Sequence, residues 1–226
     1  MADDEVFKEI ISAVTENSLY AHNEKLKNGY LISKNKVRIG VCGETVFNDG
    51  VKTIKNITSI LIRVPHLIKG IANKIIKYLF IDNEFLCTLI VSPPGFGKTT
   101  LLKDLILVLS NHYEILVIDE RGELFEEEVS ADYIRFSDKN YGFEKGVRVM
   151  SPEIIATDEL ITESDYISCN KIAKSGVKII ATAHGKSINE FTLSNLPFDR
   201  IILLNNLKNA GEIKAVYDRH NNIIYG

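Results

Sequence analysis

The stretch Ser92-Pro93-Pro94-Gly95-Phe96-Gly97-Lys98-Thr99-Thr100 constrains this chain more than any other. An apolar run over residues 86–91 leads into it, and an amphipathic stretch over residues 101–110 follows. A strand, a glycine-rich turn carrying Lys-Thr and a helix, in that order, make a phosphate-binding loop. Gly95 and Gly97 allow the tight backbone turn that points N–H groups at phosphate oxygens. The start of the helix adds free N–H groups and its positive dipole end. In this pattern Pro94, Gly95, Phe96, Gly97, Lys98, Thr99 and Thr100 cradle the phosphates of ATP. Lys98 reaches the β- and γ-phosphates and the Thr99 hydroxyl ligates Mg2+. The strict pattern has Gly where this chain has Ser92. A glycine-rich turn with a chance Lys-Thr is the competing reading, and the flanking strand and helix, in phase with the loop, argue against it.

From residue 86 onward, apolar runs alternate with helical stretches. The runs cover 86–91, 115–118, 154–157, 177–182 and 200–204, a pattern that indicates a parallel sheet covered on both faces. Residues 212–217 and 222–225 read as a terminal hairpin. Ahead of this, residues 3–28 read as two short helices, with Val6, Phe7, Ile10, Ile11 and Val14 at helical spacing. Short β-branched runs follow at 30–33, 36–42, 44–47, 51–55 and 58–64, punctuated by turns at Lys34-Asn35 and Asn48-Asp49-Gly50. The expected organisation is a small α+β module over 1–65, a helical linker over 66–85 and an α/β phosphate-loop domain over 86–226.

Bulk composition narrows the function. The chain has 226 residues, 45% hydrophobic and 25% charged, with a net charge of −3, which offers no basic footprint for nucleic acid. No apolar run approaches the ~18 residues of a spanning helix, and the acidic start, Met-Ala-Asp-Asp-Glu, is unlike a signal peptide. The expectation is a cytoplasmic protein with no direct membrane insertion and no nucleic-acid partner. Cys42, Cys87 and Cys169 have neither metal spacing nor an even count, so each reads as a small buried hydrophobe.

Two apolar runs end in acidic pairs, Asp119-Glu120 and Asp158-Glu159. In additional-strand phosphate-loop ATPases an extra strand separates the loop-bearing strand from the catalytic acidic strand, and the loop helix feeds an outer strand. That topology puts Asp158 and Glu159 at the nucleotide. Asp158 would hold a magnesium-bound water, and Glu159 would orient and deprotonate the attacking water. His184, in Ala181-Thr182-Ala183-His184-Gly185, stands where ligands bind in open α/β sheets. It either contacts the γ-phosphate or merely closes a strand. The acidic stretch over 119–128 reads by itself as a solvated loop or helix start.

The order of these motifs resembles the secretion ATPases of type II and type IV systems, which carry a phosphate loop, an aspartate box, an acidic Walker B strand and a histidine box in turn. Here they stand as residues 92–100, Ile118-Asp119-Glu120-Arg121-Gly122-Glu123-Leu124, residues 151–159 and His184. More specifically, the chain resembles the stage III sporulation protein AA family of endospore-forming bacteria. The strings that carry this are Ser18-Leu19-Tyr20-Ala21, Lys27-Asn28-Gly29-Tyr30, Val37-Arg38-Ile39-Gly40-Val41-Cys42-Gly43, Ile54-Lys55-Asn56-Ile57-Thr58-Ser59-Ile60 and Ser92-Pro93-Pro94-Gly95. The family usually has a further β-rich segment before the first helix, so the chain reads as truncated or shortened. Its 124–150 segment reads as diverged, poorer in glycine and basic residues than the family's.

The resemblance implies a RecA-like additional-strand core and assembly as a homo-hexamer. It implies work with membrane proteins of the channel complex joining mother cell to forespore, from the mother-cell side and peripheral to the membrane. Glu120 and Glu123 become aspartate-box acids near the nucleotide and its Mg2+, Asp158 and Glu159 the Walker B pair, and His184 the histidine-box residue. Secretion ATPases also use an N-terminal arginine at a subunit junction, and Arg63, sharing a strand face with Leu61, is the matching candidate; a solvated strand end is its alternative. The two functional expectations are an ATPase motor and a nucleotide-gated scaffold with vestigial hydrolysis. A DNA-handling ATPase would call for an arginine-rich helix and a small-molecule kinase for a substrate lid, and neither is evident.

Overall fold

The structure, a computed structural model, describes residues 4–15, 26, 29–33, 37–48, 51–63, 67–191, 196–205 and 211–226. The chain divides into two compact units, Met1–His66 and Leu67–Gly226.

The first unit contains helix α1 (Asp4–Thr15) and an antiparallel sheet of β1 (Tyr30–Ile32), β2 (Arg38–Asn48) and β3 (Val51–Arg63), in that order. Ile11 of α1 packs with Leu31, Ile39 and Val41 in a small core, joined by Ile54, Ile57 and Ile60. The runs expected at 36–42 and 44–47 are one strand, and so are those at 51–55 and 58–64. A register shift between Cys42 and Glu44 absorbs the break in alternation, as a bulge does without ending a strand. Asn56, at φ +45, donates its side-chain amide to Glu44 Oε2 at 2.7 Å beside this shift. The second helix expected before residue 28, and the turns at 34–35 and 49–50, lie outside the described residues. Cys42 is exposed, unlike Cys87 and Cys169, because it sits at this irregularity and not on the core face.

The second unit opens with two single 3-10 turns, Ala72–Lys74 and Ile76–Tyr78, and a two-stranded ribbon of β4 (Phe80–Ile81) and β5 (Glu84–Phe85). The expected helical linker is thus part of this unit's core. Ala72, Ile75, Leu79 and Phe85 are buried against the helix that follows the phosphate loop. Asp104 of that helix, itself buried, accepts the N–H groups of Gly70 at 3.1 Å and Ala72 at 2.7 Å. These bonds hold the segment in short turns where its apolar spacing alone suggests a continuous helix.

The main sheet is built from β6 (Thr88–Ser92), β7 (Ile115–Asp119), β8 (Asp132–Arg135), β9 (Ile154–Leu160), β10 (Lys178–His184), β11 (Arg200–Leu204), β12 (Ile213–Asp218) and β13 (Ile223–Tyr225). Its order is β13-β12-β11-β6-β10-β9-β7-β8. The strands from β11 to β8 pair in parallel, and the hairpin β12–β13 adds antiparallel strands at one edge. Strand β10 lies between β6 and β9, the additional-strand arrangement expected for a RecA-like core. Strand β8 was not expected: Asp132 is exposed and the other three residues are half-buried, so this edge strand lacks the apolar run that marks a central one.

Alternation along the strands separates two cores. Ile90, Val117, Ala156, Ile180 and Ile202 pack under helix α2 (Lys98–Leu109) through Leu101, Leu102, Leu105 and Ile106. Leu89, Val91, Leu116, Ile118, Ile155 and Ile179 face the other side, covered by Phe143, Cys169 and Ile172. These last belong to α3 (Lys139–Met150) and α4 (Glu163–Lys174). Each fully buried aliphatic side chain contributes roughly 1.5–3 kcal/mol. Gly142 and Gly146 let α3 approach β7 closely: a Cβ at Gly142 would lie 2.8 Å from Ile118 Cγ2, and one at Gly146 would overlap Leu116 Cδ2. Asp138 caps α3 by accepting the N–H groups of Asn140 and Tyr141, and Thr162 with Asp165 forms a capping box on α4. Parallel strands point their carboxyl ends the same way, so the ends of β6, β10, β9 and β7 share one edge of the sheet.

Candidate nucleotide site

Strand β6 delivers the chain into the loop, and α2 begins at Lys98 directly after Gly97. Gly95 and Gly97 hold φ of +82° and +86°, the left-handed region where a side chain would add strain. The Lys98 ammonium donates to the carbonyls of Ser92 at 2.7 Å and Pro93 at 3.0 Å, and to His184 Nδ1 at 3.1 Å. Burial pushes its pKa down to about 8, with the Glu159 carboxylate opposing. Thr99 and Thr100 sit half-buried in the first turn of α2.

An ammonium only donates, so His184 Nδ1 accepts from Lys98 and the ring carries its proton on Nε2. That proton points at Glu159 Oε1, 2.6 Å away. Arg121 pairs with the other carboxylate oxygen, Glu159 Oε2. Lys98, His184, Glu159 and Arg121 thus form a continuous line, running from the P-loop at the end of β6 across β10 and β9 to the loop after β7. The backbone is bent at its centre. Pairing of β9 with β10 shifts register between Ala181 and Ala183, and Glu159 takes φ +44°. A non-glycine residue there costs on the order of 1 kcal/mol or more, and the Glu159 N–H is held by Thr182 Oγ1 at 2.8 Å.

Asp158, beside it, is 2% exposed, and its Oδ1 is buried with no hydrogen-bond partner. Burial raises its pKa to about 7; Asp119 pushes the same way and Lys139 opposes, with a further rise from Glu123. A buried anionic oxygen without a donor is suited to a cation or its bound water. The Thr99 hydroxyl, at the start of α2, is a further oxygen donor of the kind that magnesium takes. No cluster of three or more His, Cys, Asp or Glu ligands occurs among the described residues. Magnesium bound with phosphates needs none, since phosphate oxygens and waters complete its shell.

The segment that reads as an aspartate box is organised by Asp119, fully buried at the end of β7. Its carboxylate accepts the N–H groups of Glu123 at 2.8 Å, and of Leu124 and Phe125 at 3.1 Å each. Burial raises its pKa and these bonds oppose the rise. Glu120, which reads as a metal ligand, pairs with Lys139 at 2.5 Å. Glu123 lies close enough to Asp158 to act on it electrostatically. Arg63 is exposed at the end of β3 in the first unit, in register with Arg38, and Leu61 and Ile62 beside it are exposed too.

Sequence reasoning assigned no role to Asp119, Arg121, Lys139 or Thr182. Thr182 was within reach, two residues before His184 on one strand face. Lys139 and Arg121 meet partners 19 and 38 positions away, and no local pattern announces such pairs.

Residues 1–224 match the family profile described as "Sporulation stage III, protein AA". Stage III sporulation protein AA of Bacillus subtilis is 32% identical over 95% of this chain and 78% of its own length. Protein SEEDLING PLASTID DEVELOPMENT 1 of Arabidopsis thaliana is 29% identical, over 45% of this chain and 16% of its own. Among solved structures, the pilus retraction motor PilT, crystallised with ADP, superposes with TM-score 0.61 at 14% identity, covering 88% of this chain and 65% of PilT. The Yersinia pseudotuberculosis ATPase DotB gives TM-score 0.64 at 13% identity over 97% of this chain and 69% of its own. These likenesses establish the RecA-like fold.

Replacing Asp119 by Ala leaves three backbone N–H groups without their acceptor. The expected loss of stability in urea denaturation is about 1–3 kcal/mol, with faster amide hydrogen exchange at residues 123–125. Unchanged exchange there would contradict the organising role given to Asp119.

Proposed function

The chain belongs to the stage III sporulation protein AA family, and on that premise we propose that it is a Mg-dependent ATPase built on the secretion-motor plan. The observation that carries this reading is the line Lys98–His184–Glu159 beside the buried, unpartnered Asp158. In this reading the backbone N–H groups of residues 94–100 and the Lys98 ammonium bind the ATP phosphates. Thr99 and Asp158 hold Mg2+, with Glu120 and Glu123 on the acidic flank. The ion supplies charge neutralisation at the phosphoryl oxygens. Glu159 orients a water and takes its proton, and His184 couples the carboxylate to Lys98, the group nearest the phosphate. Such positioning with a base accounts for hydrolysis without a covalent intermediate.

The wider role follows the family: a homo-hexamer on the mother-cell side, peripheral to the membrane, powering assembly of or transport through a sporulation channel with membrane-protein partners. No helix among the described residues is long and apolar enough to cross a membrane. A nucleotide-gated scaffold with weak hydrolysis is the second reading, favoured by the engagement of both Glu159 oxygens. Steady-state ATPase activity against protein concentration separates the two. A motor turns over and gains specific activity on assembly, whereas a scaffold assembles with nucleotide and shows no such gain. Arg63, proposed to act at a subunit junction, enters the same measurement: Arg63→Ala should keep nucleotide binding and lose the gain on assembly. A normal gain would remove Arg63 from the site.

Lys98→Ala is expected to abolish ATP binding in calorimetry while leaving the thermal melt of the core in place. Wild-type affinity would overturn the loop assignment. Glu159→Gln should still bind Mg·ATP and lose about 10²-fold or more in turnover, whereas Glu120→Gln should lose far less. The reverse ranking would exchange the roles of the two acidic strands.

A further inference from the structure

Arg121 stands on the opposite side of Glu159 from the phosphate loop. In the sheet order β6-β10-β9-β7, the loop continues β6, His184 ends β10, Glu159 lies on β9 and Arg121 follows β7. At ~4.8 Å per strand, β6 and β7 are about 14 Å apart, with Glu159 between them. His184 draws Glu159 Oε1 toward the loop; Arg121 draws Oε2 the other way. Among the described residues that pair with this carboxylate, Arg121 pulls it away from the phosphate side.

The loop bearing Arg121 is built to present it. On its N-terminal side, Asp119 is tied to the amides of residues 123–125. Glu120 is tied to Lys139, which is buried at the start of α3. On its C-terminal side, Gly122 takes φ +71°, and its N–H turns back to the Asp119 carbonyl at 3.4 Å. A Cβ at Gly122 would overlap the Phe136 ring, so the turn is closed to other residues. Both neighbours of Arg121 are therefore constrained, while its own side chain is 40% exposed and Glu159 is 14% exposed. The guanidinium reaches Glu159 through Nη1 on Oε2, and a planar group that stays charged holds that oxygen in direction as well as in charge.

We propose that Arg121 is a positioning residue that restrains Glu159, holding its carboxylate toward β7 and so limiting how often it reaches a water beside the γ-phosphate. This rests on the ATPase reading above. The group that binds the phosphates, Lys98, is not touched by Arg121, so the restraint acts on turnover and not on nucleotide affinity. Because the pair is partly exposed, its release has a modest effect.

The test uses the full chain at one fixed protein concentration, with kcat, KM for ATP, Mg·ATP affinity by calorimetry and thermal melts for wild type, Arg121→Gln, Arg121→Lys, Glu159→Gln and the double variant Arg121→Gln/Glu159→Gln. Arg121→Gln is expected to raise kcat by about two- to tenfold, the scale of a partly exposed ion pair. KM and affinity should stay within about twofold of wild type. Arg121→Lys should fall between the two, and the double variant should be as inactive as Glu159→Gln. A lower or unchanged kcat in Arg121→Gln, with affinity intact, overturns the restraint. If Mg·ATP binds through Lys98 but no variant turns over, the ATPase reading has failed by itself, and the melts then decide the restraint. A double variant that melts no lower than the worse single variant supports the Arg121–Glu159 clamp, and strictly additive shifts reject it.

Discussion

Asp158 lies toward the carboxyl end of β9, whose flanking strands β10 and β7 are buried, and an ionised carboxylate there has lost most of its water. Nearby cations offset part of that cost. Lys139, itself buried, sits near enough to oppose the rise in the Asp158 pKa, and it is balanced by Glu120. Asp119, one strand away, adds negative charge but spends its own oxygens on backbone amides. The remaining unpartnered oxygen, Asp158 Oδ1, is what a magnesium-bound water would satisfy. The site is therefore tense in its protein groups alone, and the cation of the proposed function would relieve that tension.

The additional strand makes this possible. With β10 inserted between β6 and β9, the phosphate loop and the acidic pair are separated by one strand width, and His184 at the end of that strand spans the gap. The histidine, accepting from Lys98 and donating to Glu159, links the glycine-rich loop to the carboxylate. The bend at Glu159, kept in place by Thr182, turns the carboxylate out of the strand's alternation and into that line.

The same economy appears in how the helices are held. Asp104 on α2 binds the backbone of the segment before β4, whose Ala72, Ile75 and Leu79 share a core with α2. Lys103, its neighbour, pairs with Glu126 at 2.8 Å and ties the helix of the phosphate loop to the acidic segment after β7. On the other face, Gly142 and Gly146 bring α3 against β7, and that close approach sets Lys139 beside the acidic cluster. The segment that looked diverged in sequence thus contributes the buried cation that balances the site.

The strand–glycine turn–helix unit over residues 88–109 was legible in the chain by itself because its geometry is local: Gly95 and Gly97 turn the backbone within a few residues of one strand end and one helix start. The central strands were legible for a related reason. Strands covered on both faces carry runs of consecutive apolar residues through their middles, and β6, β7, β9, β10 and β11 do. The choice of Asp158 and Glu159 over Asp119 and Glu120 as the inner acidic pair came from topology, and the observed strand order agrees with it. What only the tertiary structure decided is the set of partners. The turns over 72–78 depend on Asp104, a residue some thirty positions later. The half-buried strand β8 takes its conformation from pairing with β7. Arg121 and Lys139 gain their meaning from carboxylates that the fold, and nothing in their own neighbourhoods, brings within reach. Periodicity records which face of an element is buried, but a charge's partner depends on where the chain returns, and that is fixed only when the sheet is assembled.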